Sequence, residues 1–172
     1  MLIQQTVENL RRMRLGAMAE AFLAQTQNPG ASELSFEERF GLLVDYELTC
    51  RQNHRLARLL KQAHLKMSAC MGDIDYQEPR GLDRAFIASL AACGWVLSHQ
   101  SVLICGPTGV GKTYLCCALA NQACRHGYSA RYERLPRLLS NLAITKGDGS
   151  YMRLMNQLVN AKLIVDHFWG FR

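Results

Sequence analysis

Apolar positions recur at helical spacing through the first third of the chain. Ile3, Val7, Leu10, Met13 and Ala17 share one side of a helix predicted over residues 3 to about 25, which Asn28-Pro29-Gly30 terminates. A second helix is predicted to open at Ser35, where Ser35 and Glu38 have capping-box spacing and satisfy two orphan N–H groups. Phe36, Phe40, Leu43, Val44, Leu48, Leu56, Leu59, Leu60 and Ala63 then mark one apolar side of it. Residues 67 to 81 break the pattern, with Gly72 and Pro79-Arg80-Gly81 as punctuation. A short helix follows Leu82-Asp83, with Phe86, Ile87 and Leu90 on its buried side, and closes at Gly94.

The period changes beyond that point. Val102-Leu103-Ile104-Cys105 is uncharged and rich in branched side chains, which predicts a strand buried on both faces. Residues 112 to 126 predict a helix ended by a left-handed cap at Gly127, and residues 128 to 133 alternate as a second strand. Residues 134 to 146 predict a helix with Pro136 in its first turn. After the turn Gly147-Asp148-Gly149, Ser150 caps a helix through Asn160, and Leu163-Ile164-Val165-Asp166 predicts a third buried strand. This order predicts a three-layer α/β domain at residues 81–172, preceded by an α-helical module at residues 1–80.

Between the first predicted strand and its helix lies Gly106-Pro107-Thr108-Gly109-Val110-Gly111-Lys112-Thr113, which matches G-x-x-x-x-G-K-T. The glycines let backbone N–H groups approach a polyphosphate closely, and Lys112 adds a point charge for its outer phosphates. Thr113 offers a hydroxyl to Mg²⁺, and the helix beginning at Lys112 turns its positive end toward the anion. Tyr114 follows directly and completes the candidate nucleotide-binding set. These residues predict binding of a nucleoside triphosphate, ATP, with Mg²⁺. An apolar strand ending in an acid supplies the other side of such a site, so Asp166 is the second candidate metal ligand and, with Lys112, a candidate catalytic residue.

Charge changes the picture of the helical module. The chain carries 20 Lys and Arg against 14 Asp and Glu, a net charge of +6. On the long second helix Arg51, Arg55, Arg58 and Lys66 are expected within one arc, a stripe that either follows a phosphate backbone or keeps the helix solvated. The seven cysteines (Cys50, Cys70, Cys93, Cys105, Cys116, Cys117, Cys124) lack C-x-x-C spacing, and the five histidines show no ligand spacing with them. They read as reduced, buried thiols of a cytoplasmic protein. Asp73 and Asp75 read as loop acids. No apolar run approaches the roughly 20 residues of a membrane span, and no export signal precedes the first helix.

The segments ELSFEERFGLLVDYE, GDIDYQEPRGLDRAF, VLICGPTGVGKTYL, ACRHGYSARYERLPRLL and KLIVD together resemble the IstB family of insertion-sequence helper ATPases, relatives of the DnaC-type helicase loaders in the AAA+ superfamily. The resemblance runs from about residue 7 to Asp166. It implies an AAA+-like fold, ATP-dependent DNA binding, assistance to a cognate transposase and, in the full-length family, homo-oligomerisation. It assigns Gly106 to Thr113 to the nucleotide and Asp166 to Mg²⁺. The family pattern continues with a second acid that polarises the attacking water; here His167 follows Asp166 without that fixed negative charge, and the expectation is inefficient hydrolysis. The family also has a later strand inserted between the Asp166 strand and the phosphate-loop strand, and the expectation is a chain truncated after Asp166 with unpaired strand edges. The alternatives are a helicase loader, a catalytically silent nucleotide-binding remnant, and a small-molecule kinase on the same loop.

Overall fold

The computed structural model describes residues 2–77 and 81–167. The turn at Pro79-Arg80 and the aromatic–glycine stretch after His167 lie outside them, as does the His167 side chain. The chain divides into two compact units, Met1–Arg55 and Leu56–Arg172. The division falls inside a helix, well before the 80/81 boundary expected from the loop composition.

In the first unit, Arg14 splits the predicted N-terminal helix in two. Helix α1 is Leu2–Arg12 and α2 is Gly16–Gln27. Arg14 adopts φ +60°, and the amides of Arg14 and Leu15 bond back to the carbonyls of Arg11 and Leu10. That pair of bonds is a Schellman motif, which closes a helix on a left-handed residue. Asn28 caps the 3-10 turn at Pro29–Glu33 by accepting from the Gly30 amide at 3.0 Å.

The predicted capping box opens α3, Phe36–Ala63. The Ser35 amide donates to Glu38 Oε2 at 2.8 Å, and the Glu38 amide donates to Ser35 Oγ at 3.3 Å. The Ser35 amide, followed by the Ser35 hydroxyl donating to the same Oε2 at 2.9 Å, holds the Glu38 carboxyl below its ordinary pKa. The predicted apolar side is buried in part. Leu43, Leu59 and Ala63 are covered, whereas Phe36 stacks on Phe40 and both stay exposed with Val44 and Leu48. His64, at φ +49°, ends α3 at Ala63, so Lys66 lies beyond the helix and outside the expected arc.

In the second unit, Asp83 caps α4, Arg84–Ala91, by accepting from the Ala85 amide at 2.8 Å. Ile87 is 3% exposed, but Phe86 is 59% exposed and not part of the buried side. A left-handed Cys93 closes α4, and the one-turn helix α5, Gly94–Leu97, follows. Helix α6, Lys112–Arg125, ends as expected: Gly127 has φ +85°, and the amides of Gly127 and Tyr128 bond to the carbonyls of Cys124 and Ala123.

Strands β1, Ala130–Arg134, and β2, Leu163–His167, pair in parallel with Ala130 opposite Leu163 and Glu133 opposite Asp166. Between them run α7, Leu135–Asp148, and α8, Tyr151–Val159. Ser150 does not cap α8, because its hydroxyl donates to Asp148 Oδ1 at 2.6 Å. Alternation sorts the faces of the sheet. Ala130, Leu163 and Val165 pack with Ala120 and Cys124 of α6 and with Leu59 and Ala63, whereas Arg131 and Glu133 turn the other way. Leu115 and Leu119 of α6 meet Ile87, with Leu82, Leu90 and Ile104 at the margin.

The sheet corrects one expectation. Among the described residues it has two strands, and residues 102–105 form no ladder. Leu103 is 89% exposed, so this segment is not buried on both faces. A strand exists by virtue of its partner's hydrogen bonds, and a cavity of about 410 Å³ lies between this segment and β2. Val102 and Ile104 line it on one side, Ile164, Val165 and Asp166 on the other, and Leu119 contributes from α6. Among the described residues the α/β domain is therefore a helix-backed, two-stranded parallel core.

Candidate functional site

Helix α6 begins where the glycines end. Gly111 is its N-cap at φ +89°, and no side chain bonds to the cap position. Gly109 has φ +91°. These left-handed values explain why glycine is required at both places: a side chain there is strained irrespective of the space around it. At Gly109 a Cβ would in fact meet nothing within 4 Å. The first amides of a helix lack intrahelical acceptors, so the opening turn of α6 offers donors and a positive dipole end at the mouth of the loop.

Lys112 folds back over this turn. Its Nζ donates to the carbonyls of Gly106 and Pro107, each at 2.6 Å. The ammonium is therefore held inside the ring of the loop, over exposed Pro107, Thr108 and Gly109. An anion entering the loop meets a charge already in place, and the two carbonyls are the partners it competes with. Thr113 is half-buried in the first turn beside it.

Val110, Gly111, Lys112 and Tyr114 line a cavity of about 280 Å³. Its remaining wall combines apolar Ile74, Leu82, Ile104 and Leu115 with the acids Asp73 and Asp75. Sequence reasoning left these acids in a loop, and no local signal places them beside the glycines, because the packing of residues 71–76 against α4 and α6 brings them there. Asp75 accepts from the Gln77 amide at 2.8 Å. Tyr114 is anchored by Cys70: its hydroxyl lies 3.4 Å from both the amide and the carbonyl of that residue.

Asp166 stands on β2 opposite Glu133, exposed, and opens into the 410 Å³ cavity with Ile104. Ile104 borders both this cavity and the one at the loop. Among the described residues, no three or more His, Cys, Asp or Glu side chains gather as a metal site. The only metal donors the sequence nominates are thus one hydroxyl, Thr113, and one carboxylate, Asp166. Burial raises the thiol pKa of Cys93, Cys116 and Cys124, whereas Cys105, just before the loop, is exposed.

The four candidate DNA-binding cations do not form one uniform stripe. Arg51 Nε lies 2.7 Å from Glu47 Oε1, and its terminal nitrogen donates to the Arg14 carbonyl at 2.7 Å. Glu47, 8% exposed, also accepts from the Met18 amide at 2.9 Å. The Arg51 bond, followed by that amide, holds the Glu47 carboxyl below its ordinary pKa. Arg51 is thereby a clamp on the α1–α2 corner. Arg58 is exposed on α3, and Lys66 lines a separate cavity with Arg134 and Arg137. No helix of the described residues is long and apolar enough to cross a membrane.

Comparison with known proteins places this geometry in a lineage. The family model described as "IstB-like ATP binding protein" matches residues 8–172. The chain is 48% identical over 171 residues to the "Insertion sequence IS1162 putative ATP-binding protein" of Pseudomonas fluorescens, covering 99% of this chain and 74% of that one. It is 42% identical over 170 residues to the "Putative insertion sequence ATP-binding protein y4pL" of Sinorhizobium fredii, covering 99% and 69%. A protein of Mycobacterium tuberculosis, "Putative ATP-binding protein Rv3427c in insertion sequence", is 33% identical over 163 residues, covering 92% and 64%. With a family match over nearly its whole length and relatives of this identity, the chain belongs to the IstB-like ATP-binding proteins of insertion sequences.

Proposed function

We propose that this chain is the ATP-binding helper of an insertion sequence, which holds Mg²⁺–ATP at residues 106–113, binds DNA and assists the cognate transposase. The observation that supports it best is the loop itself: left-handed glycines leading into an uncapped α6, with the Lys112 ammonium held at its centre. In this reading Lys112 transfers from the Gly106 and Pro107 carbonyls to the outer phosphates, while the first amides of α6 take the inner ones. The apolar wall of Ile74, Leu82 and Leu115 takes the base, with Asp73 and Asp75 at its rim as acceptors.

Thr113 and Asp166 fit Mg²⁺ chemically, because both offer hard oxygen and this ion keeps most of its shell as water and phosphate. Bound there, the ion neutralises phosphate charge. His167 follows Asp166 where the family resemblance has a second acid, and a neutral imidazole has no fixed negative charge to polarise water. This favours a second reading in which the chain binds ATP tightly but turns it over slowly. The test combines the chain, the transposase encoded with its insertion sequence and DNA of the element's ends. An assembly of all three that forms with ATP and fails with Lys112→Ala supports the helper function. A complex indifferent to nucleotide, or none, refutes it.

A further inference from the structure

Three adjoining cavities of about 510, 510 and 160 Å³ run along β1 and between α7 and α8. The two larger ones share His64 and Arg131, the smaller joins one of them at Arg153 and Gln157, and Asn141 links it to the other. Together they form a groove along β1, α7 and α8. Five of its residues are cations: Lys66, Arg131, Arg134, Arg137 and Arg153. A single acid, Glu133, lines it, and Arg131 consumes that charge in an ion pair while also donating to Gln157 Oε1 at 2.9 Å.

Lys66, Arg134 and Arg137 make no ion pair among the described residues. The Arg134 guanidinium acts on the buried Tyr132 hydroxyl, and the Asp148 carboxylate acts on Arg153. The remainder of the lining is largely carboxamide and hydroxyl: Asn156, Asn160 and Ser129 near Arg153, and Thr145 and Ser150 near Asn141. Cations at successive positions along β1 and α7, interleaved with neutral donors and acceptors, match a sugar–phosphate strand, and Ile144 and Leu154 add apolar surface at the small end of the groove.

We infer that this groove is the track of one phosphodiester strand of nucleic acid, with Arg134 and Arg137 as its principal phosphate contacts. The inference rests on the reading of the chain as a DNA-binding helper, and moves the main contact from α3 to β1 and α7 of the second unit. Arg134 and Arg137 are exposed, and unchanged ATP affinity in the variant reports that its fold is kept.

The test uses the full chain with a fluorescent single-stranded oligonucleotide and, in a second arm, the matching duplex, followed by anisotropy across a salt series. For Arg134→Ala/Arg137→Ala, affinity falls on the order of tenfold per arginine. The slope of log affinity against log salt flattens by about 1.4 for the single strand or about 1.8 for the duplex. The arm that shows the change identifies the source of the strand. ATP affinity stays as in the parent. In the parent protein, bound oligonucleotide also shields Arg134 and Arg137 from phenylglyoxal. Parent-like affinity and slope in the double variant, with DNA binding intact, overturn the groove and leave the helper reading standing. Failure of the parent to bind either DNA overturns both. Equal displacement by poly-glutamate of matched charge overturns the nucleic-acid assignment alone.

Discussion

Arg51→Ala separates a structural arginine from a DNA-binding one, and the structure fixes its expected cost. The guanidinium makes a 2.7 Å bond to Glu47 and another of 2.7 Å to the Arg14 carbonyl. A hydrogen bond to a charged partner is worth about 1.5–3 kcal/mol, but the Arg51 side chain is 56% exposed, which discounts its ion pair to about 1 kcal/mol. The bond to the carbonyl adds about 1 kcal/mol, giving a loss of about 2 kcal/mol in the first unit. Urea unfolding followed by far-UV circular dichroism reads this directly. With a slope of about 2 kcal/mol/M, the midpoint of the transition that reports this unit drops by about 1 M. DNA affinity of the folded variant stays within about twofold of the parent, an allowance of about 0.4 kcal/mol. An unchanged midpoint with a large loss of DNA binding would refute the clamp and restore Arg51 to the phosphate-binding set.

The same clamp sets a pH dependence. Glu47 has a lowered pKa in the folded state, so its contribution is complete above the ordinary glutamate value of 4.5 and fades as pH falls through the lower folded value. Glu47→Gln should flatten the acid limb of a stability–pH curve, and an unaltered limb would show that the pairing carries no linkage. Cysteine labelling reports on the loop. Iodoacetamide should reach exposed Cys105 well before buried Cys93 and Cys124 and half-buried Cys116, and saturating Mg²⁺–ATP should slow the Cys105 reaction several-fold in a peptide map; equal rates with and without ATP would separate Cys105 from the nucleotide.

The features legible in the sequence are those whose cause is local. The loop glycines, Lys112 and the onset of α6 follow from what a phosphate demands of a few consecutive residues. The Ser35–Glu38 box and the Gly127 cap likewise depend on hydrogen bonds within one turn. Features set by distant partners were misread. Val102 to Cys105 has the composition of a buried strand, but a ladder needs a neighbour, and β2 lies across a cavity from it. Phe36, Phe40, Val44 and Leu48 have helical spacing but remain exposed, because periodicity names a face without saying what covers it. Arg14 takes a left-handed turn that glycine usually marks, so the α1–α2 break left no sign in the pattern. The charged groove along β1 was invisible for the same reason. Arg131, Arg134, Arg137 and Arg153 are gathered by the βαβ crossover, and Lys66 joins them from just beyond the end of α3.

The central claim is that the loop at residues 106–113 is built for a nucleoside triphosphate. Calorimetric titration of ATP with Mg²⁺ into the chain, beside Lys112→Ala, addresses it directly. At an effective dielectric constant of about 20, a charge about 4 Å from a phosphate is worth about 4 kcal/mol, and giving up two carbonyl bonds returns part of this. The account predicts saturable binding by the parent and a loss on the order of a hundredfold or more in the variant. Equal affinities, or no heat from the parent, would contradict it.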